Sequence, residues 1–506
     1  MADFSSIAFG ERATLTVDVP PYWADHHFLG RAVLPAVESM QLLAHWARRS
    51  RPGLDVACMR DAAFDKFLEL PSTGGRIEVL CEMQDLADGG LRVALLTRAR
   101  SGASGITRTK LHVRLDFCPL AELSPPIALD LISALEGECF SVDPWLLYEE
   151  LAPFGPAFQS ICEPVRLTAE GALAVIKAPE VVDRQTDLIL GSPFVLDGAF
   201  HAACAWSQRF AGVTAFPVGV DRRLVVAPTK PGISYVSRIF PVHVESGALT
   251  FDIWIVGADG RPFEVLEGVR MRDVSGGRVL PPDWVRSRNG AGLLDRIAGH
   301  AAAFVIIDRA ALTPLADLCL TESEYRRTLH MGVKRRTDYL LARLACKRLS
   351  RRLSGEDRRT PPSEIETVAA DGIRPMCPAT DGRTYYCSVS HDQRFAVAVA
   401  GEQSLGVDVE VLDDRALRNL RLFMSADEME IVKIAEPGRI GAAVRAWTAK
   451  EAVAKMLNVN LADAWERTRA LEIGAEQSHF QIDNGPAVAV VHQTLEDHLI
   501  TLVHAV

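Results

Sequence analysis

Leu405-Gly406-Val407-Asp408-Val409-Glu410-Val411, read together with Trp447-Thr448-Ala449-Lys450-Glu451-Ala452-Val453-Ala454-Lys455, decides the fold of the second half of this 506-residue chain. In the first segment Leu405, Val407, Val409 and Val411 alternate with Gly406, Asp408 and Glu410. A strand with that period of two buries one row and presents both carboxylates on the other. Residues 442–457 lack Gly and Pro, and Val444, Trp447 and Met456 contribute to an apolar stripe, so the spacing predicts a helix there. Glu451 and Lys455 then share a face. Alone they would be an ordinary i,i+4 ion pair worth about 0.2–0.5 kcal/mol. Beside two strand carboxylates, Glu451 becomes a third oxygen donor. Such a set suits Mg²⁺, which takes near-octahedral oxygen ligands and keeps places for water and substrate phosphate.

The combination resembles the 4′-phosphopantetheinyl transferases of the surfactin-synthetase-activating type, whose signature is a G-[VI]-D-[VI]-E strand followed by a [FW]-[ST]-x-K-E-x-x-x-K helix. Ser388-Val389-Ser390-His391 is similar to their S-x-S-H strand end and Arg374-Pro375 to their basic-Pro coenzyme A contact. Tyr339-Leu340-Leu341-Ala342-Arg343 is similar to their yl-x-G-R helix, with Ala342 where Gly is common. The resemblance covers residues 293–506. It implies that Asp408, Glu410 and Glu451 hold Mg²⁺ against the pyrophosphate of coenzyme A. Arg343, Arg374, Pro375, Ser390, His391 and Lys450 then form the coenzyme site; arginine suits phosphate because its planar fork donates two parallel hydrogen bonds. Glu451 would help deprotonate the acceptor serine and Lys455 would steady the leaving 3′,5′-ADP.

The first half carries a separate signature. Residues 26–35, from His26 through Gly30 to Pro35, fit H-x-x-x-G-x-x-x-x-P, and Asp197-Gly198-Ala199-Phe200-His201 fits D-x-x-x-[QH]. Each runs into a helical pattern, 36–49 and 198–210, as a duplicated unit would. This half, about residues 10–278, resembles the dehydratase domains of polyketide and fatty acid synthases. These are double hot-dog folds, in which each unit wraps an antiparallel sheet around one long helix. Phe154-Gly155-Pro156-Ala157-Phe158 is similar to their [YF]-G-P-x-F element, although Leu151-Ala152 replaces the usual Gly-Tyr before it. Phe216-Pro217-Val218-Gly219-Val220 is similar to their L-P-F-x-W region, with Val220 in place of the closing aromatic. The resemblance implies His26 as the base for the α-proton of a 3-hydroxyacyl thioester and Asp197 as the acid for its hydroxyl. Gly30 N–H would polarise the thioester carbonyl, and His201 would orient Asp197. A His base and a carboxylic acid perform both proton transfers when their pKa values lie near the working pH, so an apolar pocket is expected to keep Asp197 partly protonated.

The whole chain is thus expected to be α+β. The first expected domain is a double hot-dog at 1–278 (units about 10–118 and 127–278, bridged by 118–126). A linker at 279–292, marked by clustered Gly and Pro, leads to a pseudo-twofold transferase domain at 293–506. A net charge of −10 argues against a general nucleic-acid binder, which needs surplus Lys and Arg. Ten cysteines without C-x-x-C spacing argue against a zinc site, and they are expected to be reduced thiols in the cytoplasm. No apolar run approaches the ~18 residues of a membrane span, and no signal peptide is evident. The expected partners are coenzyme A, an acyl or peptidyl carrier protein and other synthase modules. Dehydratases of this type often pair through the first unit, which leaves a homodimer through that half open. Two alternatives for the hot-dog half also stay open: a non-catalytic docking platform for carriers, or a chamber for double-bond isomerisation or cyclisation.

Overall fold

The computed structural model describes residues 11–71, 75–100, 107–119, 127–180, 188–245, 247–286, 294–356, 359–369, 374–379, 383, 385–435 and 438–505. They fall into two compact units. The first takes residues up to 126 and 140–287, and the second takes 127–139 and residues from 288 onward.

The first unit is built on one twelve-stranded antiparallel sheet. Strands Glu11–Val19, Gly75–Asp85, Leu91–Arg100, Thr107–Phe117 and Cys58–Phe64 are hydrogen-bonded in that order. The order then continues through Phe216–Val225, Pro262–Arg272, Ala248–Val256, Ser234–Glu245, Gly171–Lys177, Val165–Thr168 and Phe140–Val142. The seam lies between Cys58–Phe64 and Phe216–Val225, with Val220 opposite Ala62 and Leu224 opposite Cys58. Each half encloses one helix, Ala36–Ser50 or Pro193–Trp206. Every residue of the second helix is buried, as expected of a helix apolar all round. Met40, Leu43, Phe158, Phe194, Phe251 and Leu266 belong to a single continuous core. This is the expected double hot-dog.

The second unit contains two sheets, each packed against one long helix. Tyr386–His391, Phe395–Gly401, Ala303–Leu312 and Ala134–Glu136 form the first, which packs on helix Val333–Leu353. Leu405–Val411, His498–His504, Ala487–Leu495, Gln477–Ile482 and Thr468–Ile473 form the second, which packs on helix Arg439–Leu457. Phe304, Val397 and Val399 of one sheet meet Val407, Ile500 and Leu502 of the other in a shared core. Gly406 is required where strand and helix meet: a Cβ there would stand 1.9 Å from the Ala452 carbonyl oxygen.

Three boundaries differ from the sequence reading. Residues 127–139, expected in the second hot-dog, belong to the second unit. There Ala134 pairs with Leu312, and Asp130 is held by a two-pronged ion pair from buried Arg351, 2.6 and 2.7 Å. Residues 279–286, expected as linker, pack on the first unit, where Val285 is fully buried and its carbonyl accepts from Arg209. The second central helix begins at Pro193 rather than 198, because Pro suits the first helical position. Asp197 therefore lies inside the helix, one turn before His201. Among the described residues no helix is long and apolar enough to cross a membrane.

Candidate active sites

In the first unit the two halves of the sequence signature meet. His26 follows the short helical turn Pro21–Asp25, and its backbone is fixed by hydrogen bonds to Trp23 O and from Val33 N. The hairpin that follows pairs His27–Phe28 with Arg31–Ala32 through Leu29 and Gly30, both at positive φ (49° and 76°). That is the pattern of a two-residue primed turn, for which Gly is suited. His26 Nε2 lies 3.9 Å from Asp197 Oδ1, and His201 Nε2 lies 3.0 Å from Asp197 Oδ2. Phe154 is sandwiched between the two imidazoles, stacked on His26 at 4.7 Å and on His201 at 4.6 Å.

The F-G-P-A-F element is tied to the residue before His26. Asp25 accepts from Gly155 N through its carbonyl and from Ala157 N through its carboxylate. A side chain at Gly155 would strike Asp25. The group opens into a cavity of about 620 Å³ lined by His26, Phe154, Asp197, Phe200, His201 and Phe216 among others. Gly30 is not in that lining. It sits exposed at the hairpin tip, so the described cavity does not include the expected thioester-polarising residue.

Burial holds the His26 imidazole below its usual range, against the attraction of Asp197. Burial also pushes the Asp197 carboxyl up, but the charge of His201, its hydrogen bond and the charge of His26 outweigh this and hold Asp197 low. The expectation of a partly protonated Asp197 is thereby corrected: two imidazoles stand closer to the carboxylate than the apolar walls can offset. Sequence reasoning also missed Tyr148. Its hydroxyl accepts from Ile161 N and stands 3.5 Å from His201 Nδ1, opposite the edge that faces Asp197. It lies on a π-helical turn, Leu147–Leu151, with no motif to mark it.

In the second unit Asp408, on its strand, accepts at Oδ1 from Ser390 Oγ (2.7 Å) and Lys455 Nζ (2.8 Å). Lys455 also donates to Val407 O. Asp408 Oδ2 is buried without a hydrogen-bond partner. Glu410 and Glu451 are close enough to Asp408 to feel its charge. Burial, then Asp408, push each carboxyl up to about 7; Arg415 and a Trp447 hydrogen bond pull Glu410 back, and Lys455 pulls Glu451 back. Trp447 and Arg415 line a hollow of about 180 Å³ beside Glu410. Crowded carboxylates with a buried, unpaired oxygen fit a hard dication in donor chemistry. They are not drawn together as ligands: among the described residues no three His, Cys, Asp or Glu side chains converge on one point. Lys455 supplies the positive charge instead.

The expected coenzyme residues separate into two groups. His391 stands at the end of the strand carrying Ser390. The surrounding protein holds it below the usual range, opposed by Asp338 and helped by Lys455. Arg343 is buried and donates to Thr367 O and Oγ1 (2.6 and 3.2 Å), and the same carbonyl accepts from Met376 N, next to Pro375. Arg374 is exposed, on a pairing of Val368 with Pro375. Lys450 is not at this site. It is fully buried, donates to Phe423 O and pairs with Glu428 at 2.9 Å, whose carboxylate also accepts from Ala470 N and caps the helix beginning at Ala426. Helical phase separates the lysines: Lys450 and Lys455 lie about 140° apart around the helix, Glu451 and Lys455 only about 40°.

Two family models match the chain: the polyketide synthase dehydratase N-terminal domain over residues 142–281 and the 4′-phosphopantetheinyl transferase superfamily over 404–503. Each match falls on the half of the chain whose motifs carry the corresponding resemblance. The first match falls on the half holding Asp197 and His201, the second on all three carboxylates and Lys455. Similar solved structures include a trans-AT polyketide synthase dehydratase domain from Brevibacillus brevis, at 14% identity over 52% of this chain and 93% of that one, TM-score 0.44. Another is the dehydratase domain of a mycocerosic acid synthase-like polyketide synthase, at 18% identity over 55% and 100%, TM-score 0.41. A third is the PpsC dehydratase domain from Mycobacterium tuberculosis in complex with C12:1-CoA, at 19% identity over 52% and 94%, TM-score 0.40. No curated protein matches the chain.

Proposed function

We propose that the chain is a bifunctional cytoplasmic enzyme of carrier-protein-dependent polyketide or fatty acid biosynthesis. Its second unit moves 4′-phosphopantetheine from coenzyme A to a serine of an apo acyl or peptidyl carrier protein, with Mg²⁺. Its first unit converts the 3-hydroxyacyl thioester carried on such an arm to a trans-2-enoyl product. The observation that carries the reading is the grouping of Asp408, Glu410, Glu451 and Lys455 at one strand–helix junction, inside the region matched to the transferase superfamily.

Glu451 takes the proton of the acceptor serine. The serine oxygen bonds to the β-phosphorus as the bond to 3′,5′-ADP breaks, and Lys455 steadies the departing phosphate. Asp408, Glu410 and Glu451 would hold Mg²⁺, whose charge would offset that of the diphosphate oxygens. Arg374 and His391 grip the nucleotide phosphates, and Arg343 sets the backbone on which Arg374 stands. In the first unit His26 takes the α-proton, and the hydroxyl leaves as water with a proton delivered through Asp197. Asp197 receives that proton from His26, 3.9 Å away.

The depressed Asp197 carboxyl favours one second reading, double-bond isomerisation, in which a single base moves a proton and no hydroxyl departs. Incubation with apo carriers, coenzyme A and Mg²⁺, read by intact-protein mass spectrometry, tests the transferase; no mass gain on any carrier of a broad panel rejects it. Carrier-bound 3-hydroxyacyl and 2-enoyl substrates test the rest: loss of one water from the first supports dehydration, and an unchanged mass with a shifted double bond in the second, without water loss from the first, supports isomerisation.

A further inference from the structure

The sulfurs of Cys58 and Cys118 lie 2.8 Å apart, inside the first unit and away from the cavity. Their placement follows from the sheet. Cys58 begins the seam strand Cys58–Phe64, and Cys118 follows Thr107–Phe117; Met59 pairs with Phe117, so the two cysteines are the next cross-strand partners. A backbone hydrogen bond from Cys118 N to Cys58 O, 3.1 Å, fixes that register. Both thiols are buried, and with Leu224 of the opposing seam strand they form a small cluster of their own. Directly opposed residues of antiparallel strands have Cα separations that a disulfide can span. Bonding would shorten the sulfur separation by only about 0.8 Å.

We propose that Cys58 and Cys118 form an oxidisable dithiol that closes into a cross-strand disulfide, clipping the end of the seam strand to its neighbour. Bond formation balances as follows. One sulfur attacks a hydrogen peroxide oxygen, the O–O bond breaks, and a sulfenic acid and one water form. The second sulfur attacks the sulfenic sulfur, the S–O bond breaks, and a second water leaves with the remaining thiol proton. Two thiols lose two electrons to the peroxide. Burial and the neighbouring Cys58 push the Cys118 thiol up to about 12, so at neutral pH Cys118 keeps its proton until its sulfur is engaged. The cross-link joins residues 60 apart in the chain and restricts the unfolded state accordingly.

The test treats the whole chain with hydrogen peroxide, unfolds it in an alkylating agent and maps peptides without reductant. Exposed Cys162 serves as the gauge that oxidant has acted. The expected result is a linked peptide pair containing Cys58 and Cys118, lost on adding dithiothreitol. A rise of about 5 °C in the first unit's thermal midpoint should accompany it. Neither should occur in Cys58→Ser, where Cys118 is alkylated as a free thiol. Oxidised Cys162 beside alkylated Cys58 and Cys118 in the wild-type chain would overturn the proposal. So would Cys118 bonded to any other cysteine.

Discussion

Both units bury carboxylates, and their surroundings move those carboxyls in opposite directions. In the first unit Asp197 lies deep in an aromatic cavity, yet two imidazoles hold it below the ordinary range. In the second unit Glu410 and Glu451 are less enclosed, yet burial and the charge of Asp408 push both up to about 7. The lesson concerns charge bookkeeping more than depth. The first site sets two imidazoles beside its one carboxylate. The second has three carboxylates against Lys455 and the more distant Arg415, and a further cation would relieve it.

The largest expected effect breaks the second half of this comparison. Asp408→Ala and Glu451→Ala each should abolish the mass gain of an apo carrier incubated with coenzyme A and Mg²⁺, while any dehydration by the first unit persists. Full labelling by either variant would remove the basis for three cooperating carboxylates. Next, His26→Ala should slow water loss from a carrier-bound 3-hydroxyacyl group by about 10²–10⁴-fold, followed by mass spectrometry, with carrier labelling unchanged. An unaltered product flux would instead favour the docking platform.

Two stability effects sharpen the contrast between lysines and between histidines. Lys450→Ala should destabilise the second unit by about 3 kcal/mol in denaturant titration, because Glu428 is left buried and unpaired. The KM for coenzyme A should not change. His492, buried between Ser478 and Thr501, is pushed down to about 3 by burial and by Arg445. Between pH 6.5 and 3 the unfolded chain therefore binds a proton that the folded chain refuses, so stability falls as pH drops through that window. His492→Gln should flatten that slope in thermal scans taken from pH 7 to 4. The smallest effect expected is from Tyr148→Phe, about a 3- to 10-fold drop in dehydration with the acid limb of the pH–rate profile displaced, since only the outer edge of His201 loses a neighbour.

Much of the fold was legible in the chain. The alternation in Leu405–Val411 is a strand with those bounds, and the helix expected at 442–457 begins three residues earlier at Arg439. These segments have strong local periods. The strand Ala134–Glu136 was illegible because its partner, Ala303–Leu312, is far along the chain and three residues carry no usable pattern. Lys450 was misassigned for a different reason: the motif named the residue, whereas its helical phase, readable from spacing alone, already turned it off the face shared by Glu451 and Lys455.

The sequence alone determined which residue types stand at which spacings, and hence that two catalytic signatures share one polypeptide; local periodicity and side-chain chemistry suffice for that. Only the tertiary structure decided how the charges balance. A pKa depends on distances between groups far apart in sequence, such as Asp197 with His26 or Asp408 with Ser390 and Lys455, and on how much water is excluded around them. Those quantities exist only once the sheets have closed around their helices.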